Sequence, residues 1–218
     1  MTDMKDSIDL PELPWQAFDK SDPSADSLFY AEKRLVMHID DGAAEAVTAL
    51  YREILPAGGE ILDLMSSWVS HLPTEVAFAG VTGHGMNAEE LDENPRLTAR
   101  FVRDLNAEPA LPLADGAFDA ACLCVGVQYL QRPVTVFAEV RRVLQPGAPF
   151  IVTFSNRCFP TKAVAIWQAL QPHEQQELVA LYMQRAGFEE IEVSEVIPEE
   201  GDPLWVVIGV VPEMAAEA

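Results

Sequence analysis

Glu60-Ile61-Leu62-Asp63-Leu64-Met65-Ser66-Ser67-Trp68-Val69-Ser70-His71-Leu72-Pro73 decides how the rest of the chain is read. A short apolar run ends in an acid and passes straight into a polar, tight turn. The run suits a buried strand. The turn suits a ligand loop at a strand-to-helix junction, where backbone N–H groups point outward. The loop contains no glycine. Glycine would let the backbone approach a ligand closely and adopt conformations closed to other residues. Ser66, Ser67, Ser70 and His71 are the polar donors here. Either they hold a carboxylate, or the serines simply cap the helix.

Upstream of this stretch, Pro56-Ala57-Gly58-Gly59 stops a helix that Asp40-Asp41 can cap. Val47, Leu50 and Ile54 give that helix one apolar stripe. Residues 1–39 carry Pro11, Pro14 and Pro23 among Trp15, Phe18, Phe29 and Tyr30. So aromatic a segment reads as an irregular arm packed on the domain. Arg34 and His38 lie one helical turn apart if this part is helical; they either face a ligand from above or serve the structure.

Downstream, a second strand is expected over residues 79–84. Asn87 then caps a helix with Glu90 at its third position, a loose capping box. Residues 101–104 make a brief third strand. Residues 118–127 are nearly all apolar, as in a central parallel strand covered on both faces. Pro133 opens a helix with a buried stripe of Val134, Phe137, Val140, Arg141 and Leu144, which Gly147 closes. A strand over 149–154, helical segments around 162–170 and 172–185, and two strands over 190–196 and 204–211 complete the pattern. The expected fold is α/β: a Rossmann-like, seven-stranded, mostly parallel sheet with an antiparallel C-terminal strand and helices on both faces. The expected divisions are an arm over 1–39, the α/β domain over 40–212 and a tail over 213–218.

The 218 residues suit one domain with a sizeable core. No apolar run approaches the roughly 18 residues needed to cross a bilayer, and residues 1–10 lack the apolar core of a secretory signal. The expectation is a soluble cytoplasmic protein with no membrane partner. The 14 basic residues are scattered among 35 acidic ones, for a net charge of −21. That balance argues against nucleic acid, which is held by clustered Lys and Arg; it suits a cationic ligand or plain solubility. The three cysteines do not make a disulfide scaffold. Cys122 and Cys124 would share one strand face as reduced core residues, and no Cys or His cluster completes a metal site.

Beyond Glu60-Ile61-Leu62-Asp63, several stretches follow in a particular order: Asp104 after the third strand, Leu111-Pro112-Leu113-Ala114-Asp115-Gly116-Ala117-Phe118-Asp119, Phe137-Ala138-Glu139-Val140-Arg141-Arg142-Val143-Leu144-Gln145-Pro146-Gly147, and Ala186-Gly187-Phe188. With them, residues 45–211 resemble the class I S-adenosylmethionine-dependent methyltransferases, in particular the small-molecule group called type 11. The resemblance implies a seven-stranded sheet with its last hairpin reversed, S-adenosylmethionine as cofactor and a small-molecule acceptor.

Ligands of such sheets lie outside the carboxyl ends of the strands, here the loops at 65–72, 84–87, 104–106, 126–131 and 155–162. By the resemblance the cofactor spans the first four. Its candidate contacts are Asp63, Met65, Ser66, Ser67, His84, Asn87, Asp104, Leu105 and Gln128, with Asp104 near the adenine amino group. On the acceptor side stand Arg34, Tyr129, Asn156 and Arg157. Arg157 is either a bidentate clamp for an acidic substrate or an ordinary surface arginine. Tyr129 and His38 are the candidate bases; Cys158 has no nearby histidine to support it as a nucleophile. The sequence departs from the family in two places. Met65, Ser67 and Val69 occupy its glycine positions, and the ribose-binding acid expected about twenty residues past the loop falls at Gly85. Either the loop takes another path or the cofactor sits further out. The alternative function is a degenerate methyltransferase fold that binds another ligand or a partner without methyl transfer.

Overall fold

The computed structural model describes residues 10–198 and 200–213; the outermost parts of the expected arm and tail, 1–9 and 214–218, lie outside the described residues. A 3-10 turn at Trp15–Phe18 and the short helix α1 (Asp26–Phe29) belong to the arm. Residues 30–40 are not helical, so Arg34 and His38 do not share a helix face. Helix α2 (Asp41–Ile54) is capped by Asp40, whose side chain accepts from Ala43 N. It buries Ala43, Val47 and Tyr51, and it stops at Leu55, before Pro56.

Strand β1 (Glu60–Leu64) matches the expected bounds. The segment after it does not: residues 65–79 contain no helix, so the serines cap nothing. Backbone groups outside regular structure still need partners, and side chains supply them. Asn94 Nδ2 donates to Ser67 O at 3.0 Å, Arg96 Nη2 to Val76 O at 2.9 Å, and Thr48 Oγ1 to His71 O at 2.9 Å. Pro73 and the β-branched Val69 and Val76 make a helix there unfavourable.

Strand β2 (Gly80–Gly85) leads to helix α3 (Ala88–Asp92), where Asn87 Oδ1 accepts from Glu89 N and Glu90 N. Strand β3 (Ala99–Val102) follows. Strand β4 (Ala120–Cys124) ends sooner than expected, because Val125 turns the chain with φ 47 into a 3-10 turn at Val127–Tyr129. Helix α4 (Pro133–Val143) buries Val136, Phe137, Val140 and Val143. Arg141 is exposed and is no part of the buried stripe. Gly147, with φ 77, shapes the turn into β5 rather than closing α4, which ends at Leu144. Strand β5 (Pro149–Ser155) precedes helices α5 (Ala165–Ala169) and α6 (Pro172–Ala186), the latter stopped by left-handed Gly187. Strands β6 (Glu189–Val196) and β7 (Leu204–Val210) close the chain.

The strands form one seven-stranded sheet in the order β3-β2-β1-β4-β5-β7-β6. Neighbours are parallel except β7, which runs antiparallel to both β5 and β6. One face packs Leu62, Leu64, Leu123, Phe150 and Val152 against α4, α6 and arm residues Leu10 and Phe18. The other packs Ile61, Ala120, Cys122, Ile151 and Val206 against α2, with Leu72 filling in where no helix follows β1. The strand order reverses between β1 and β4, which fixes where a ligand can enter. No helix among the described residues is long and apolar enough to cross a membrane.

Candidate functional site

A cavity of about 300 Å³ opens at that reversal, bounded by the chain just beyond β1 to β5 and by arm residues 26–38. Its size falls within the range of small-molecule pockets. The floor is Met65-Ser66-Ser67, Gly85-Met86, residues 103–106 and residues 124–126; the roof is Tyr30, Arg34, Val36-Met37-His38 and Arg157-Cys158-Phe159.

The floor stores backbone strain. Met65 has φ 55 and Val125 has φ 47, a left-handed region that costs L-residues on the order of 1–2 kcal/mol. The two turns meet: a Cβ on Gly126 would come within 2.9 Å of Met65 Cβ. Of the positions where the family places glycine, Met65 keeps the glycine-like backbone, while Val69 does not need it. Two further contacts pin this turn. Ser66 N donates to His84 O at 2.6 Å, and Met65 N donates to His84 Nδ1 at 3.1 Å. The imidazole must then carry its proton on Nε2, which donates to Arg103 O at 2.9 Å. Burial drives the His84 pKa down to about 4. It is a neutral staple between β1 and β3, with both ring nitrogens committed to backbone.

Asp63 lies beneath the turn, 4% exposed, and accepts from Ser66 Oγ at 2.6 Å. Burial pushes its carboxyl up to about 6. Asp104 closes its own turn, with Oδ1 accepting from Asn106 N and Ala107 N. Leu105 is buried beside it. Asn106 reaches across the site, donating from Nδ2 to Asp26 Oδ2 and Tyr129 O at 3.0 Å each.

On the roof, His38 lies edge-on to Phe159, with ring centroids 5.8 Å apart. Burial lowers its pKa, against the pull of Glu90, so the imidazole is neutral near pH 7. The Tyr129 hydroxyl accepts from Phe159 N at 2.9 Å. Burial pushes its pKa up to about 12, so it keeps its proton. The Arg34 guanidinium stands 4.6 Å over the Phe29 ring. Arg157 pairs with Asp202 and, at 3.5 Å, with Asp40. Burial also pushes the Cys124 thiol up to about 12 and raises that of Cys158, so neither is a thiolate at neutral pH.

An ionic knot fastens the roof. Lys162 has a fully buried side chain whose Nζ meets Asp22 Oδ2 at 3.0 Å, Asp26 Oδ1 at 3.4 Å and Ser24 O at 2.8 Å. Lys20 adds a second cation to Asp26.

Of the residues singled out from sequence, Arg34, His38, Met65, Ser66, Ser67 and His84 line this cavity, as do Asp104, Leu105, Tyr129 and Arg157. The others, Ser70 and His71 among them, lie apart from the lining. Asp63 supports the loop from below. Asn87 caps α3 and holds the arm through Tyr30 O at 3.0 Å. Gln128 is buried and donates to Val125 O. Asn156 is exposed and accepts from Ser155 Oγ. Sequence reasoning missed Asp26, Tyr30, Glu90, Arg103 and Phe159 as lining residues. Glu90 shows in the sequence only as a capping-box acid, Phe159 lies within the nominated loop 155–162, and no local pattern marks Asp26, Tyr30 or Arg103.

A family model described as a methyltransferase domain matches residues 70–152. The ubiquinone/menaquinone biosynthesis C-methyltransferase UbiE of Methylobacterium nodulans is 50% identical over 46 residues, which is 21% of this chain and 18% of that protein. The match thus spans under a fifth of that relative's length. Among solved structures, the (4+2)-cyclase SpnF is similar with a TM-score of 0.62 at 17% identity, over 84% of this chain and 89% of that one. Phosphoethanolamine N-methyltransferase 2 of Haemonchus contortus, in complex with S-adenosyl-L-methionine, gives 0.58 at 14% identity over 78% and 53% of the two chains. A possible histamine N-methyltransferase from Thermotoga maritima gives 0.57 at 18% identity over 77% and 88%. At these identities the likeness is one of fold.

Proposed function

We propose that this chain, a class I S-adenosylmethionine-dependent methyltransferase by its strand order and by the match of residues 70–152, binds S-adenosylmethionine in the cavity and methylates a small molecule there. The observation that carries the reading is the turn after β1. Met65, at a position where the resembled family has glycine, takes a left-handed backbone of the kind that favours glycine, at the floor of a cavity of suitable size. A left-handed turn there leaves the polar groups of the loop beside the cavity, and the residues present suit the cofactor. Met65, Ser66 and Ser67 would hold its amino-acid end, and Asp104 and Leu105 its adenine. The acceptor would lie under the roof, among Arg34, His38, Phe159 and Arg157.

When bound, the cofactor supplies an electrophilic methyl group on a sulfonium, so the protein must align the acceptor and, where the acceptor carries a proton, remove it. His38 is the fitting base: it is neutral at pH 7 and borders the cavity. Tyr129, protonated up to about pH 12, serves as a hydrogen-bond donor to the acceptor instead.

A second reading keeps the fold but binds a different ligand or a partner, without methyl transfer. It is favoured by the loss of the acid at Gly85, and a cyclase shares the fold. A thermal melt with S-adenosylmethionine and S-adenosylhomocysteine separates the two. At a hundredfold excess over Kd the ligand adds about 2.7 kcal/mol, a rise of about 5–10 °C for a chain of this size. No shift with either ligand at millimolar concentration would leave only the second reading.

A further inference from the structure

We propose that Glu90 takes over the role of the acid missing at the end of β2 and receives the hydroxyls of the cofactor's ribose; the inference rests on the cofactor reading above. Position 85 is glycine for a steric reason. A Cβ there would meet Ser66 O at 2.5 Å and Leu91 Cδ2 at 3.1 Å. The turn after β1 lies against the end of β2, with Ser66 N bonded to His84 O. No carboxylate can project from position 85 without moving that turn, so the loop's path and the loss of the acid are one change.

A ribose diol offers two donors and needs an acceptor group that is buried but not exhausted. Among the described residues, three carboxylates border the cavity: Asp26, Glu90 and Asp104. Asp26 already receives Lys20, Lys162 and Asn106 Nδ2. Asp104 keeps Oδ2 open while its Oδ1 serves its own turn, but it is the acid assigned above to the adenine. Glu90 comes from α3, the element directly after β2, and is 8% exposed. Its Oε1 accepts from Arg34 N at 2.8 Å and its Oε2 from Ser67 Oγ at 2.7 Å.

A carboxylate has about four lone-pair sites, so each oxygen keeps one for a further donor. The two existing bonds fix the carboxylate between the roof and the loop, without spending a rotamer on binding. The same bonds give the site closure: the arm backbone at Arg34 and the loop hydroxyl at Ser67 are both tied to the group that would grip the ribose.

The test is calorimetric binding of S-adenosylhomocysteine and of its 2′-deoxy and 3′-deoxy analogues to the full chain and to Glu90→Gln. Glutamine preserves shape and one acceptor, while removing the charge. On the wild-type protein, at least one deoxy analogue is expected to bind about tenfold or more weaker, since hydrogen bonds to charged groups are the strong ones. In Glu90→Gln, S-adenosylhomocysteine itself weakens by a similar factor, and the penalty for the deoxy sugar shrinks to about twofold, the coupling expected of groups in contact. Equal weakening of all three ligands in the variant, with the deoxy penalty intact, would show a structural acid and overturn the proposal. So would wild-type protein indifferent to the deoxy sugars, a result that does not depend on the variant folding. If the wild type binds none of the three ligands, the cofactor reading fails and this inference falls with it.

Discussion

Burial pushes the Asp63 carboxyl up to about 6, and that shift couples the floor of the site to stability. The folded pKa is raised above the unfolded value near 3.9. The folded chain therefore binds more protons than the unfolded chain between the two values, and this residue's contribution to stability falls as pH rises through that window. Above it the ionised, desolvated carboxylate costs about 3 kcal/mol relative to the neutral acid, at about 1.36 kcal/mol per unit. Asp63→Asn removes the titration and keeps an acceptor for Ser66 Oγ. The variant should gain about 1–2 kcal/mol on the wild type between about pH 5 and pH 8, read from urea midpoints. A difference that stays constant across that range would mean Asp63 is better solvated than its surroundings indicate. At this scale the sequence was informative about residue types and poor about partners. Ser66, Ser67 and Asp104 could be nominated because loops at carboxyl ends are where ligands bind, and Arg34 and His38 by their spacing in the arm. That both His84 nitrogens would be claimed by Met65 N and Arg103 O depends on register between β1, β2 and β3, which no single segment encodes.

Among the elements, the connection after β1 changes most between sequence and structure, and the arm less. The arm's aromatics signalled an irregular segment that packs down, and it does; the helical turn that would have put Arg34 and His38 on one face is absent. The strands and the helices flanked by clear caps were legible: β1, β7 and α6 fall within a residue of expectation. The connection over 65–79 was not, because the partners that replace its missing helix, Thr48, Asn94 and Arg96, lie elsewhere in the chain. The buried Lys162 is one of the ties that hold the roof, and Lys162→Met tests its share. Breaking a buried ion pair typically costs about 3–5 kcal/mol. Here Lys20 and Asn106 remain on Asp26, so the loss should fall toward the lower end. Amides over residues 19–38 are then expected to exchange faster with solvent, while those of β1, β4 and β5 keep their protection. Uniform loss of protection across the sheet would show instead that the arm and the sheet unfold together.

For the whole molecule, charge is the governing quantity. With 35 acidic and 14 basic residues, carboxylates outnumber the cations that could neutralise them. The structure also commits many of those cations locally: Arg52 to Glu75, Arg100 to Asp92, Arg142 to Asp115 and Glu139, and Arg185 to Glu12. Such exposed pairs contribute little individually, whereas the unpaired surplus repels itself across the entire surface. Salt weakens both, but by different amounts. A pair in contact lies well inside the Debye length, which shrinks from about 30 Å at 0.01 M to about 8 Å at 0.15 M, while repulsion between distant carboxylates acts at just those separations. The long-range repulsion is therefore screened first, and added sodium chloride should raise the thermal midpoint by several degrees between about 0.01 and 0.3 M before levelling off. A midpoint that falls over the same range would assign the net electrostatic contribution to the local pairs and the buried Lys162 knot. The same field bears on the ligand: a sulfonium cofactor carries one more positive charge than its demethylated product, so low salt should favour its binding over that of S-adenosylhomocysteine, and the preference should narrow as the surplus is screened.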